Sequence, residues 1–218
     1  MGMNIAIDGP AGAGKSTIAK QIAKKLGYIY VDTGAMYRAM ALYLLRGKIL
    51  PSETDKINEK CREADISIGY ENGEQIVYLN GENVNGLIRT EEVGNMASAS
   101  SPNPNVRRKL VELQQKLAAD KDVVMDGRDI GTCVLPNAQV KVYLTADSRV
   151  RAERRYKELT EKGVSCDLDE IEKDIINRDH QDMTREISPL MQAEDAVLVD
   201  SSYMTIEEAV DAVVALLH

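Results

Sequence analysis

The sequence predicts an α/β fold, in which a central parallel sheet of five strands lies between helical layers and carries an inserted antiparallel unit and a helical lid. Three observations point there. Short apolar runs at 5–7, 28–31, 123–125, 140–144 and 196–199 alternate with amphipathic stretches of helical length. The first run breaks directly into a glycine-rich loop followed by a helix. Between residues 66 and 81 the grammar changes to short alternating strands joined by Asn-Gly pairs, the signature of hairpins.

Residues 4–17 read Asn-Ile-Ala-Ile-Asp-Gly-Pro-Ala-Gly-Ala-Gly-Lys-Ser-Thr. Ile5 and Ile7 form the buried strand, and Ile18 to Leu26 form the helix. Between them Gly9, Gly14, Lys15 and Ser16 satisfy Gly-x-x-x-x-Gly-Lys-[Ser/Thr], a P-loop, so the fold expected is the three-layer P-loop fold. Gly9, Gly12 and Gly14 admit turn conformations closed to other residues and let backbone N–H groups approach an anion. The helix directs its positive end to the same spot. Lys15 would reach the β- and γ-phosphates of a nucleotide, the Ser16 hydroxyl would ligate a Mg²⁺ bridging them, and Thr17 would add a donor.

Tyr28 to Val31 reads as a second strand, followed by Asp32-Thr33-Gly34-Ala35 and a helix to about Arg46. A polar helix with Ser52 or Thr54 as cap fills the stretch to 65. Ile66 to Tyr70 and Gln75 to Leu79 pair as a hairpin, so 47–89 reads as an inserted subdomain. Thr90 to Ala99 and Asn105 to Ala119 return as helices. Val123 to Met125 and Val140 to Leu144 are further strands, Ser148 to Glu161 and Asp169 to Met183 are helices, and Ala196 to Val199 and Thr205 to Leu217 close the chain as strand and helix. The core is therefore expected in 1–46, 90–150 and 184–218, with 151–183 as the lid.

A formal net charge of −8 argues against nucleic acid or an anionic membrane as partner, since both need a basic footprint. A mononucleotide needs only a local cluster of cations. Cys61, Cys133 and Cys166 are widely spaced and form no C-x-x-C pair, which suits reduced thiols in a cytoplasmic protein. No signal peptide or long apolar run is read, and a monomer is expected. The only histidines are His180 and His218, so no Ser/His/Asp arrangement is suggested.

The strand at 123–125 delivers Asp126 to the carboxyl edge of the sheet, where open α/β sheets bind ligands. Asp126 would hold Mg²⁺ directly or through water, or cap the next turn, while Gly127 lets backbone pass close to substrate. Arg128 beside two acids is either a ligand group or a surface ion pair. Thr33 reads as a site hydroxyl or an N-cap. Arg38, near the start of its helix where the dipole disfavours a cation, reads as a phosphate ligand or as a surface residue. Arg149, Arg151, Arg154 and Arg155 form either a solvated face or a cationic lid over a triphosphate. Arg178, Asp182 and Arg185 recur at near-helical spacing as a ligand face or an intrahelical ladder.

Together, residues 7–17, Asp-Thr-Gly-Ala-Met-Tyr-Arg (32–38), Ile-Arg-Thr-Glu-Glu-Val (88–93), Asp-Gly-Arg-Asp-Ile-Gly-Thr (126–132), Arg-Ala-Glu-Arg-Arg (151–155) and the Arg178 to Leu190 stretch resemble the bacterial cytidylate kinases, nucleoside monophosphate kinases of the P-loop group. The resemblance covers essentially the whole chain, and the 126–132 stretch is its most specific part. It implies transfer of the ATP γ-phosphoryl group to CMP or dCMP with Mg²⁺, and makes 47–89 the NMP-binding subdomain. ATP would be held by Gly9, Pro10, Ala11, Gly12, Ala13, Gly14, Lys15, Ser16 and Thr17. Arg151, Arg154 and Arg155 would be lid arginines, with Arg151 on ATP and the other two catalytic beside Lys15, Asp126 and Arg128. Thr33, Tyr37, Arg38, Gly127, Arg128 and Arg185 would line the CMP phosphate side. Arg178 and Asp182 would hold the sugar, and Ser98, Arg107 and Asp129 would read the cytosine edge. Ala11 stands where some members have Ser, and Thr33 where others have Ser, which bears on affinity. The rivals are a kinase for AMP, dephospho-coenzyme A or shikimate, and a nucleotide switch; a GTP switch would need Asn-Lys-x-Asp, which the chain lacks.

Overall fold

The computed structural model describes residues 2–217. The main sheet is built from β1 (Asn4–Asp8), β2 (Ile29–Asp32), β6 (Val123–Gly127), β7 (Val140–Thr145) and β8 (Val197–Asp200), in the order β2-β6-β1-β7-β8. All four pairings are parallel, as the alternation of strands and crossover helices requires. The inserted unit is an antiparallel sheet of β3 (Ile66–Glu71), β4 (Glu74–Leu79) and β5 (Glu82–Asn83). Its two-residue turns place Asn72 and Gly73 at φ 52° and 80°, and Asn80 and Gly81 at 51° and 81°, the left-handed pair that Asn-Gly supplies at low cost.

Among the described residues, eight α-helices surround the sheets: α1 (Lys15–Leu26), α2 (Thr33–Arg46), α3 (Thr54–Glu63), α4 (Glu91–Ser100), α5 (Pro104–Ala118), α6 (Ser148–Glu161), α7 (Leu168–Thr184) and α8 (Ile206–Val214). A π-type turn, Ile130–Val134, follows β6. The period of two along each strand divides the core. Ile5, Ile7, Val124, Val142 and Leu144 face α1 and α8, while Ala6, Val31, Val123 and Met125 face a cluster reaching α2, α4, α5 and the insertion.

Two caps differ from expectation. Asp32, not Thr33, caps α2 by accepting from the Ala35 N–H at 2.9 Å, which leaves the Thr33 hydroxyl for another partner. Neither Ser52 nor Thr54 caps α3. The helix starts behind Glu53, whose carboxylate turns back to the Leu50 N–H at 2.9 Å.

Gly9 marks the exit from β1. It sits at φ 149°, and a Cβ there would lie 1.9 Å from the Leu144 carbonyl oxygen on β7. The loop therefore leaves the sheet in contact with a neighbouring strand that cannot shift without breaking its own pairing. Gly9→Ala is expected to destabilise the protein by about 2 kcal/mol or more, read as a lower denaturant midpoint; an unchanged midpoint would show that the β1 to β7 contact is softer than described.

Candidate active site

The carboxyl ends of β1, β2 and β6 converge on one buried carboxylate. Asp126 accepts from the Ser16 hydroxyl at 2.9 Å and from the Tyr30 hydroxyl at 2.8 Å, and its carbonyl accepts from Thr33 Oγ1 at 2.7 Å. Burial pushes its carboxyl up to about 6, and the charge of Asp32 adds to the rise. Lys15 is buried beside it, with Nζ donating to the Pro10 carbonyl at 2.7 Å. Burial, then the charge of Arg128, lowers the Lys15 ammonium to about 7. Gly14 opens α1 at φ 91° with no side chain over the helix end, so the first N–H groups face the loop.

One hydroxyl and one carboxylate, with a second acid adjacent, is the donor set of a hard cation whose other positions are filled by phosphate and water. Among the described residues no group of three or more His, Cys, Asp or Glu is arranged to hold a metal by itself. The residues thus fit Mg²⁺ bound together with a nucleotide.

Across from the loop lies a field of arginines. Arg107 and Asp129 form a buried ion pair, and the Arg107 guanidinium stacks over the Tyr37 ring at 5.7 Å. Arg185 approaches Asp129 at 3.8 Å and Asp182 at 3.7 Å, while Asp182 accepts from Arg128 Nε at 2.8 Å. Asp182 is thus shared between strand edge and helix, and the Arg178, Asp182, Arg185 series is not simply an intrahelical ladder. Arg178 reaches the Gly94 carbonyl at 3.4 Å. Burial lowers the pKa of Arg38, Arg178 and Arg185, and neighbouring arginines lower all three further. The Tyr37 hydroxyl and one Arg185 Nη are buried without a hydrogen-bond partner among the described residues. Ser98 lies on α4, half-buried, near the end where Ser101 offers its carbonyl to Arg107 at 3.5 Å. A Cβ on Gly127 would meet Ile130 Cδ1 at 2.6 Å and Thr33 Oγ1 at 2.9 Å, so packing alone already requires that glycine.

The arginines of α6 separate into different tasks. Arg149 is tied to Asp169 at 2.5 Å and Glu172 at 3.0 Å, and Arg155 to Glu158 at 2.9 Å. Arg154 donates to the Ser201 carbonyl at 2.6 Å, and Ser201 donates to the Ala13 carbonyl at 3.2 Å. Arg151 is held by contacts within the protein. It is buried, donating to the Ala146 carbonyl at 2.8 Å and the Ala11 carbonyl at 2.9 Å, and it pairs with Asp179 at 2.6 Å. Asp179 in turn accepts from the Ala11 N–H at 3.3 Å. The Arg151 Nε and one Nη are thus engaged by protein, and through Ala11 they tie α6 to the glycine-rich loop.

A family model described as cytidylate kinase matches residues 5–218. The chain belongs to the cytidylate kinase family. Cytidylate kinases of Caldicellulosiruptor bescii and Caldicellulosiruptor saccharolyticus are 51% and 52% identical to it over 216 residues, and that of Ligilactobacillus salivarius is 47% identical; each match covers 99% of this chain and 96% of the relative. Among solved structures, a shikimate kinase from Bacteroides thetaiotaomicron superimposes with a TM-score of 0.51 at 15% identity, covering 99% of this chain and 98% of that one. An uncharacterized protein from Eubacterium ventriosum does so at 0.54 and 11%, covering 98% and 96%. These last two share the fold.

Several residues of this family member carry the site without having been singled out in the sequence. Tyr30 and Asp32 flank Asp126, Asp179 and Ser201 hold the loop, and Asp8 sits buried behind it. Asp179 lies beside Arg178 and Asp8 directly precedes Gly9, so adjacency to motif positions was the available signal. His180 is exposed, and His218 lies outside the described residues. Cys61, Cys133 and Cys166 are free thiols.

The folded Lys15 value of about 7 lies below the ordinary 10.5. The unfolded chain therefore binds more protons between these values, so this group's contribution to stability rises with pH through that window and is lost as pH falls through about 7. In ligand-free protein, NMR titration of the lysine side chains should show one midpoint near 7. ATP should raise it by more than about one unit, since phosphate charge favours the ammonium. A Lys15 midpoint at the ordinary value, with or without ATP, would contradict the burial described.

Proposed function

We propose that this chain is an enzyme that transfers the γ-phosphoryl group of ATP to CMP or dCMP, giving ADP and CDP or dCDP. The observation that carries this reading is the position of Arg128. It is close enough to Lys15 to depress its pKa, and it is hydrogen-bonded to Asp182 in the arginine field opposite. One cation thus joins the two halves, as a transferring phosphoryl group requires.

On the donor side, the Gly9 to Thr17 backbone cradles the triphosphate, and Lys15 leaves the Pro10 carbonyl for the β- and γ-phosphates. Ser16, with Asp126 through water, would hold Mg²⁺, which when bound neutralises phosphate charge. Arg154 and Arg155, on the exposed face of α6, complete the cationic lid when the site closes over the nucleotide. On the acceptor side, Arg38, Arg128 and Arg185 take the CMP phosphate beside Thr33 and Tyr37, and Arg178 and Asp182 take the sugar. Arg107 and Asp129, with Ser98, take the base. A carboxylate has lone pairs to spare beyond one ion pair, so Asp129 can also accept from the exocyclic amino group of cytosine while repelling the uracil carbonyl. One chain supplies both halves, which suits a monomer. Among the described residues no helix is long and apolar enough to cross a membrane, and we place the protein in the cytoplasm with nucleotides as its partners.

An ADP-release assay across CMP, dCMP, UMP and AMP tests the reading, and equal or faster turnover of UMP or AMP would sink it. Lys15→Ala should lower kcat by at least about 100-fold while leaving CMP affinity within about threefold, because Lys15 faces the transferred group. A parallel fall in CMP affinity would contradict that placement. Asp129→Ala should lower the preference for CMP over UMP by about tenfold or more. By stranding Arg107 in a buried position, the same change should also cost about 3 kcal/mol of stability. An unchanged CMP/UMP ratio would refute the assigned role.

A further inference from the structure

We infer that Asp8 is a positioning residue for the acceptor base: from the end of β1 it caps the turn that follows Asp129 and so leaves the Asp129 carboxylate free to face Arg107. The inference rests on the acceptor reading above. Asp8 is buried, and its two oxygens accept from the Ile130 and Gly131 N–H groups, each at 2.7 Å. These are the first two N–H groups of the Ile130–Val134 turn, and they have no partner within it.

An aspartate at the position before such a turn ordinarily folds back to accept from those groups. Asp129 occupies that position at φ −147° and ψ 28°, yet its side chain makes no capping bond. It pairs with Arg107 and lies 3.8 Å from Arg185 instead. Asp8, 122 residues away in sequence, performs the capping. The swap needs an ionised Asp8, since both oxygens must accept. Its carboxyl is raised to about 6 by burial, against the two N–H donors that lower it, so it is charged at neutral pH. Asp129 and Lys15 also act on this group, with opposite signs. A Cβ on Gly131 would lie at ordinary contact distance from Asp8 Oδ2, 3.4 Å, and closer to Lys141 Cδ, at 3.2 Å.

Asp8→Asn retains the shape but offers one acceptor where two donors wait, so Asp129 is drawn to cap its own turn and away from Arg107. The test is steady-state kinetics of Asp8→Asn beside wild type. KM for CMP should rise about tenfold and the CMP/UMP ratio should fall several-fold, with KM for ATP and kcat at saturating CMP within about threefold of wild type. Asp8→Glu, ionised but one methylene longer, should recover part of the CMP/UMP ratio. A change that falls mainly on KM for ATP, or an unchanged CMP/UMP ratio, would overturn the inference and make Asp8 a support of the phosphate loop alone. If Asp8→Asn does not fold, Asp8→Glu decides, since it keeps the charge but displaces both accepting oxygens. It should raise KM for CMP about threefold without raising that for ATP, and failure to do so overturns the inference. Wild type that makes no CDP from CMP would remove the acceptor reading itself, an outcome distinct from any of these.

Discussion

Asp126 is the point on which the rest of the structure closes. A carboxylate without access to water must be satisfied by protein, and here a hydroxyl from α1, a phenol from β2 and a threonine at the start of α2 all reach the same residue on β6. Side chains 93 to 110 residues away in sequence are thereby fixed to one strand end. Because β6 lies between β1 and β2, the phosphate loop leaving β1 and the helix leaving β2 are set relative to each other by this one residue.

The arrangement is tense without its ligands. Asp8 and Asp126 are held above their ordinary range and Lys15 below, because all three are deprived of water and only partly compensated by one another. The arginine field opposite shows the same condition with the other sign, as burial and mutual repulsion lower Arg38, Arg178 and Arg185 together. Phosphates on one side and a cation near Asp126 on the other would relieve both. Such a site gives up stability in the free protein to hold its charges in fixed positions.

Around this centre the packing is conventional, and it was largely legible in advance. The five parallel strands, the Asn-Gly hairpins of the insertion and the helix after Lys15 follow from hydrophobic period and turn chemistry, which are local properties. The cap of α3 was missed because Glu53 competes with Ser52 and Thr54 for the same turn, and propensity does not decide between neighbours. At the site, the motif positions named a set of candidates. Sequence spacing did not reveal that Arg151 turns inward to Ala11 while Arg149 and Arg155, on the same helix, turn outward to acids.

The sequence by itself determined the fold and the glycine-rich loop, and it proposed the residues of the acceptor side, because glycine conformations, strand period and a dense run of motifs are written in adjacent residues. Only the tertiary structure decided how charges are paired. Asp182 could have served Arg178 on its own helix but serves Arg128 from another element, and Asp8 caps a turn that Asp129 would otherwise cap. The reason is physical: the energy of a buried charge depends on which partners burial brings within about 4 Å and how much water it removes, and neither distance nor solvent access is encoded in spacing along the chain.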